Sequence, residues 1–385
     1  MKVLFFANKM PDLCGAFLHD IDLATELQTR GHQVVFLTIK IPKEGFNGGT
    51  YRGFRFLNYS AASTYLDTSE VWICPHAPIL PQVRALNTKG YNRPIIATCH
   101  YDGNYNMIRW NGAASWSELL LFVNGIMEAN YRKNIVPWPA PIRETGTVRP
   151  ILHRDKIIIP DEFRGDAITL VNANQNKGVH VFLELARRMP DRKFLGVLPY
   201  YGETRLPPSP SNVEWVPFND DIRTILRRTR ILLMPSYYES FGRIGIEAML
   251  NGIPVLYSKP NPNSVYPGGS TEGLDEWIRP IGIACERESP ESWMQAIRDL
   301  DDPVAYATRS EQSTTHVESM NVFSEASRIA QVVEDFVRRN PVVIRVVQSQ
   351  PSAPATRAAP GILRPPADGR PAGFGFSNGR LTLQR

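Results

Sequence analysis

Short unbroken apolar runs alternate along this chain with stretches whose apolar residues recur every three or four positions. The runs have the length of buried strands, and the spaced stretches read as amphipathic helices. Val3–Ala7 is the first run. Phe17, Ile21, Ala24 and Leu27 follow at helical spacing, and Gly31 stands where that helix would end. Val34–Thr38, Phe54–Asn58, Val71–Cys74 and Ile95–Cys99 are further strands. Leu119–Arg132 is expected to be a helix, with a Pro-rich stretch through Pro150 closing this half.

The pattern restarts after a loose segment near residues 143–165. Ile168–Asn172 is a strand, and Val179, Phe182, Leu183, Ala186 and Met189 mark one face of a helix. Lys193–Val197, Val213–Val216, Ile231–Met234, Pro254–Tyr257 and Gly282–Cys285 are strands. Helices are expected at Asp221–Arg228, Pro290–Asp299 and Ser324–Arg339. Strands alternating with helices imply parallel sheets covered on both faces. The fold class is therefore α/β, with two similar Rossmann-like halves facing a cleft. We place the first domain at residues 1–160, the second at 161–325, a helix returning toward the first at 326–340, and a tail at 341–385.

Length agrees, since 385 residues exceed one ordinary core. Hydrophobic content of 43% and charged content of 21% are those of a globular protein. The net charge of +5 lies on the tail, which holds six of the 43 basic residues and one of the 38 acids. The remaining 37 and 37 leave a neutral body, which argues against a built-in duplex footprint. The tail has seven prolines and few apolar side chains, so we expect disorder, though Phe376 and Leu381 lie in a stretch able to dock. Cys14, Cys74, Cys99 and Cys285 are far apart in sequence without a C-x-x-C pair, which fits a reduced cytoplasmic setting. The first apolar run is too short for a signal peptide, and no run approaches the ~20 residues of a membrane span.

The densest chemistry lies between Pro235 and Leu256. Glu239 and Glu247 flank a Phe241-Gly242 turn that leads into a helix. A helix start offers unpaired N–H groups and a positive dipole end, which suits phosphate. A carboxylate one turn inside can hold a ribose diol. A carboxylate just before the helix would be repelled by phosphate, so Glu239 suits neutral sugar hydroxyls. Together these parts describe a nucleoside-diphosphate sugar laid across one loop.

These residues resemble the E-x7-E element of GT-B glycosyltransferases of the GT4 kind. Lys177-Gly178, after Ile168–Asn172, is similar to the phosphate lysine of that family. Gly15 stands at its glycine turn, His100 at the histidine closing a first-domain strand, and Arg30-Gly31-His32 at its first helix end. The likeness covers roughly residues 1–340. It implies a retaining, metal-independent transferase with catalytic roles for His100, Glu239 and Lys177. Donor binding would fall to Gly15, Asn172, Lys177, Phe241, Gly242, Arg243, Ile244 and Glu247. Thr271-Glu272-Gly273 resembles a loop that closes over the donor. The implied donor is a nucleotide sugar, with no other cofactor.

Two positions depart from the family. Asn172 stands where an arginine is common, and Cys14-Gly15 has one glycine in place of two. Arg243 can replace the missing charge on phosphate or pair with Glu247 four residues on. His76, Tyr101 and Asp102 are expected near the same cleft, and Tyr105, Trp110 and Trp116 are aromatic candidates for acceptor contacts. The acceptor remains open: a small molecule, a lipid-linked glycan, a polysaccharide or, as an alternative, a modified base in DNA. A non-catalytic nucleotide-sugar-binding module is the other alternative.

Overall fold

The computed structural model describes residues 1–8, 15–39, 49–75, 77–101, 115–134, 143–160, 165–200, 208–260, 272–342, 375–377 and 380–382. His76, Asp102, Tyr105, Trp110, Thr271 and most of the tail lie outside them.

The first sheet contains β1 (Lys2–Ala7), β2 (Gln33–Thr38), β3 (Gly49–Tyr51), β4 (Phe54–Leu57), β5 (Val71–Cys74), β6 (Ile95–Cys99), β7 (Glu118–Phe122) and β8 (Arg143–Thr147). Its order is β3-β4-β2-β1-β5-β6-β7-β8, parallel throughout except for the short β3–β4 pair. β5, β6 and β7 are buried along their whole length. Continuous apolar runs are what strands covered on both faces require.

The second sheet contains β9 (Ala167–Val171), β10 (Phe194–Val197), β11 (Val213–Val216), β12 (Thr229–Met234), β13 (Val255–Ser258) and β14 (Ile283–Cys285). Its order is β11-β10-β9-β12-β13-β14, all parallel.

The chain then returns to its start. Helix Glu325–Arg339 lays Ile329, Ala330, Val333 and Phe336 into the apolar cluster built by Val3, Phe5, Ile21 and Leu27. Polar contacts fix its register. Arg30 Nη1 lies 3.1 Å from Glu334 Oε2, its Nη2 donates to the Ser327 carbonyl at 3.0 Å, and His32 Nε2 sits 2.8 Å from Glu334 Oε1. Arg30-Gly31-His32 thus anchors this helix.

Several expected elements differ. Leu119–Arg132 is not one helix: Glu118–Phe122 is β7, and the helix runs Gly125–Asn134. Five consecutive buried residues fit a strand between two neighbours, whereas periodicity alone cannot separate a buried strand from a buried helix. Within the segment read as loose, Arg143–Thr147 is β8 at the sheet edge, where one neighbour suffices and no apolar run is needed. The helix expected at Asp221–Arg228 shrinks to Arg223–Leu226: Ile222 is its N-cap, Asp221 stands outside it and accepts the Arg223 N–H, and Thr229 already belongs to β12. Helix Pro303–Ser319 gave no periodic signal, since it buries only Tyr306, Ser313 and Val317. In the tail, Gly375–Ser377 and Arg380–Thr382 form an antiparallel pair within the stretch singled out as able to dock.

Candidate active site

In an open parallel sheet, ligands bind beyond the carboxyl ends of the strands where the strand order reverses. In the second sheet that point lies between β9 and β12: β10 and β11 extend one way, β13 and β14 the other. Lys177 lies on the loop after β9, and Glu239 on the loop after β12. The two loops are locked together. The Tyr237 N–H donates to the Asn176 carbonyl at 2.8 Å. Gly178 has φ 77°, and a Cβ there would sit 2.2 Å from the Pro235 carbonyl oxygen. Only glycine permits that approach.

Lys177 Nζ meets Glu239 Oε1 at 2.6 Å, and Ser236 Oγ donates to the same oxygen at 2.7 Å. Glu239 is 7% exposed, so two donors fix its orientation inside the protein. Glu247, also 7% exposed, accepts from Arg243 Nε at 2.7 Å through Oε1. Helix Arg243–Met249 begins after Gly242, whose φ is also 77°. Asn172 adopts φ 64°, and its Oδ1 lies 3.4 Å from Asn174 Nδ2 on the lysine loop. Phe241 is buried, with its ring 5.2 Å from that of Trp277. Its side chain therefore anchors the turn. Ile244 is half-buried on the same helix.

From the first half, Gly15 opens helix Gly15–Thr29 with nothing within 4 Å of where a Cβ would stand. His100 follows β6, with its ring 5.3 Å from that of His19. The Tyr101 ring meets that of Tyr238, next to Glu239, at 4.8 Å. The structure thus brings the His100 strand end to the Glu239 loop. Trp116 is instead core, buried with Nε1 donating to Glu118 Oε1 at 3.0 Å.

Three polar residues of the first helix escaped the sequence reading. His19, Asp20 and Asp22 are all buried. The available signal was a His-Asp-x-Asp run one turn after the glycine turn, on a helix of weak amphipathicity. His19 Nδ1 accepts the Ile151 N–H at 3.2 Å, so a neutral ring carries its proton on Nε2. Burial, helped by the Arg243 charge, pushes its pKa down to about 4. Burial, with the Asp22 charge, raises the Asp20 carboxyl well above its ordinary value. Burial also acts to raise Asp22, but His153, Lys156 and Arg243 outweigh it and hold the group low. Lys156 Nζ stands 2.9 Å, His153 Nε2 3.3 Å and Arg243 Nη2 3.9 Å from that carboxylate. Arg243 therefore sits between Glu247 and the first half of the chain, with its buried Nη1 unpartnered among the described residues.

Among the described residues, His19, Asp20 and His100 form the group able to hold a metal ion, their ligand atoms within 4.8 Å of one another. Ligands on one ion with bonds of ordinary length stand roughly 3.4 Å apart. The trio would have to close to bind one.

Comparison with known proteins bears on the same segment. Residues 209–302, which contain both Glu239 and Glu247, match the family model described as glycosyl transferases group 1. The chain is 29% identical over 125 residues to D-inositol 3-phosphate glycosyltransferase of Corynebacterium kroppenstedtii, covering 32% of this chain and 26% of that protein. It is 31% identical over 109 residues to the protein of the same name from Streptomyces avermitilis, covering 28% and 21%. The match thus spans about a quarter of the length of these relatives. Among solved structures, sucrose-phosphate synthase from Thermosynechococcus elongatus superposes with a TM-score of 0.66 at 14% identity, covering 88% of this chain and all of that one. At that identity the likeness establishes the fold.

Proposed function

We propose that this chain, which carries a glycosyl transferases group 1 segment on a GT-B fold, moves a sugar from a nucleoside-diphosphate sugar to a hydroxyl acceptor. We further propose retention of anomeric configuration and no metal requirement. The observation that carries this is the Lys177–Glu239 pair at the switch point of the second sheet. In the free protein Lys177 neutralises Glu239. A donor diphosphate competes for the lysine, and the freed carboxylate then accepts hydrogen bonds from the sugar hydroxyls. Glu247 Oε1 is taken by Arg243, leaving Oε2 for the ribose. Arg243 can serve both roles, because its Nε holds Glu247 while Nη1 is left for a phosphate oxygen.

The chemical step needs stabilisation of a leaving nucleoside diphosphate. Lys177, Arg243 and the N–H groups at Gly242–Ile244 would act there as fixed charges and dipoles, commonly the largest catalytic term. His100, arriving from the first half, would face the transferred sugar. The acceptor would enter from that half, and a polyol phosphate like the one in the relatives' names is the first to try.

A thermal-shift panel of UDP-, GDP-, ADP- and TDP-sugars tests the assignment. The correct donor at about 100 times its Kd stabilises by about 2.7 kcal/mol and raises the midpoint. Glu247→Ala should abolish that response. No shift with any donor, or an equal shift in the variant, would remove the assignment. Turnover should survive EDTA, and its loss would overturn metal independence.

A further inference from the structure

We infer that Asn124 is a positioning residue that ties the first half of the chain to the donor loop, an inference that rests on the proposed donor site. Asn124 follows β7 and is 2% exposed. Its side chain makes two different contacts. Oδ1 accepts the Met127 N–H at 2.7 Å, capping helix Gly125–Asn134. Nδ2 donates to the Ser240 carbonyl, between Glu239 and Phe241. The amide therefore spans 116 residues of sequence to reach the peptide that follows the sugar-facing carboxylate.

That peptide is braced from a second side. A Cβ on Gly273 would stand 2.3 Å from the Ser240 carbonyl oxygen and 2.4 Å from that of Glu239. Backbone therefore lies close against the Ser240 carbonyl that Asn124 approaches, and against that of Glu239. With the Tyr237–Asn176 bond, the loop 236–241 is held from its own lysine loop, from the 272–274 turn and from the first half. The first two holds lie within the second half. Beside the Tyr101–Tyr238 ring contact, Asn124 supplies the hydrogen bond by which the first half holds the loop backbone. Its loss should leave the fold intact and let the loop sample conformers in which Glu239 is misplaced. Apparent donor affinity falls by the fraction of competent loop.

The two contacts separate by substitution. Asn124→Asp and Asn124→Ser keep a good cap acceptor, and both remove the N–H that reaches Ser240. We expect each melting temperature within about 2 °C of wild type, because the cap is retained. Hydrogen exchange of amides 236–241 should speed up about tenfold, and donor Kd should rise about tenfold, in line with one lost hydrogen bond. At saturating donor, kcat should change far less, since bound sugar re-seats the loop. Unaltered exchange in 236–241 in both variants overturns the inference, as does unaltered donor Kd where exchange has risen. If wild type binds no nucleotide sugar, the proposed function fails while the exchange measurement still decides what Asn124 does.

Discussion

Glu239 is a buried carboxylate with fixed partners. Its two neighbours, Lys177 and Ser236, both donate to Oε1, so the group is oriented before anything binds. Lys177→Ala should lower kcat/KM by about 10²–10³, the usual cost of losing one preorganised donor, with circular dichroism unchanged. A loss below tenfold would assign Lys177 to charge balance alone. His19 makes a pH prediction. Its folded pKa of about 4 lies below the ordinary 6.5, so the unfolded chain binds more protons between these values. Stability contributed by neutral His19 is present above pH 6.5 and is lost as pH falls toward 4, by roughly 3 kcal/mol in full. His19→Asn keeps an acceptor for Ile151 N–H and should flatten that slope in urea titrations at pH 7 and pH 4.5. Parallel slopes in the two proteins would show that His19 is already protonated or does not titrate. Of the candidate site residues, Glu239, Glu247 and Lys177 could be singled out in sequence because motif spacing carried them. Asp20 and Asp22 were not, because a polar residue on a helix reads as solvated until another segment covers it.

At the scale of elements, β7 and helix Glu325–Arg339 decide the architecture. Glu118 on β7 is buried at 1% exposure and takes two bonds from the fully buried Arg84, at 2.8 and 2.7 Å, and a third from Trp116. Removing one member takes the charged partner from the other inside the protein. Glu118→Ala should cost about 3–5 kcal/mol in chemical denaturation. A cost below 1 kcal/mol would mean that Arg84 finds water or another partner. Phe336, fully buried in the first cluster, should cost about 3–5 kcal/mol as Phe336→Ala, with the loss appearing in the unfolding of the first half. Sequence periodicity found the helix at the carboxyl end, since its apolar stripe is sharp, and misread β7, since an apolar run carries no period.

For the whole molecule, charge separates body from tail. Residues 1–340 balance at 37 basic and 37 acidic side chains, and the six arginines beyond them carry the excess. Full-length protein should show salt-sensitive retention on a polyanion matrix, and a chain ending at 342 should show none while keeping its donor response. Retention by the shortened chain would point to a nucleic-acid face on the body and revive DNA as acceptor. Among the described residues, contacts that join the halves include Asn124 with Ser240, Arg243 toward Asp22, Arg52 with Asp220, Arg149 over the Trp277 ring, and the Tyr101–Tyr238 ring pair. None of these pairs is close in sequence, and none follows a repeating pattern.

Sequence by itself determined the α/β class, the two-sheet plan and the loop with its two glutamates, because strand runs, helical spacing and the E-x7-E frame are local properties of the chain. Tertiary structure decided which partners those groups keep: Lys177 on Glu239, Arg243 on Glu247, His19 and Asp20 buried beside His100. Those pairings depend on sheet order and on the return of the last helix, and contacts between residues far apart in the chain leave no mark in the order of either segment.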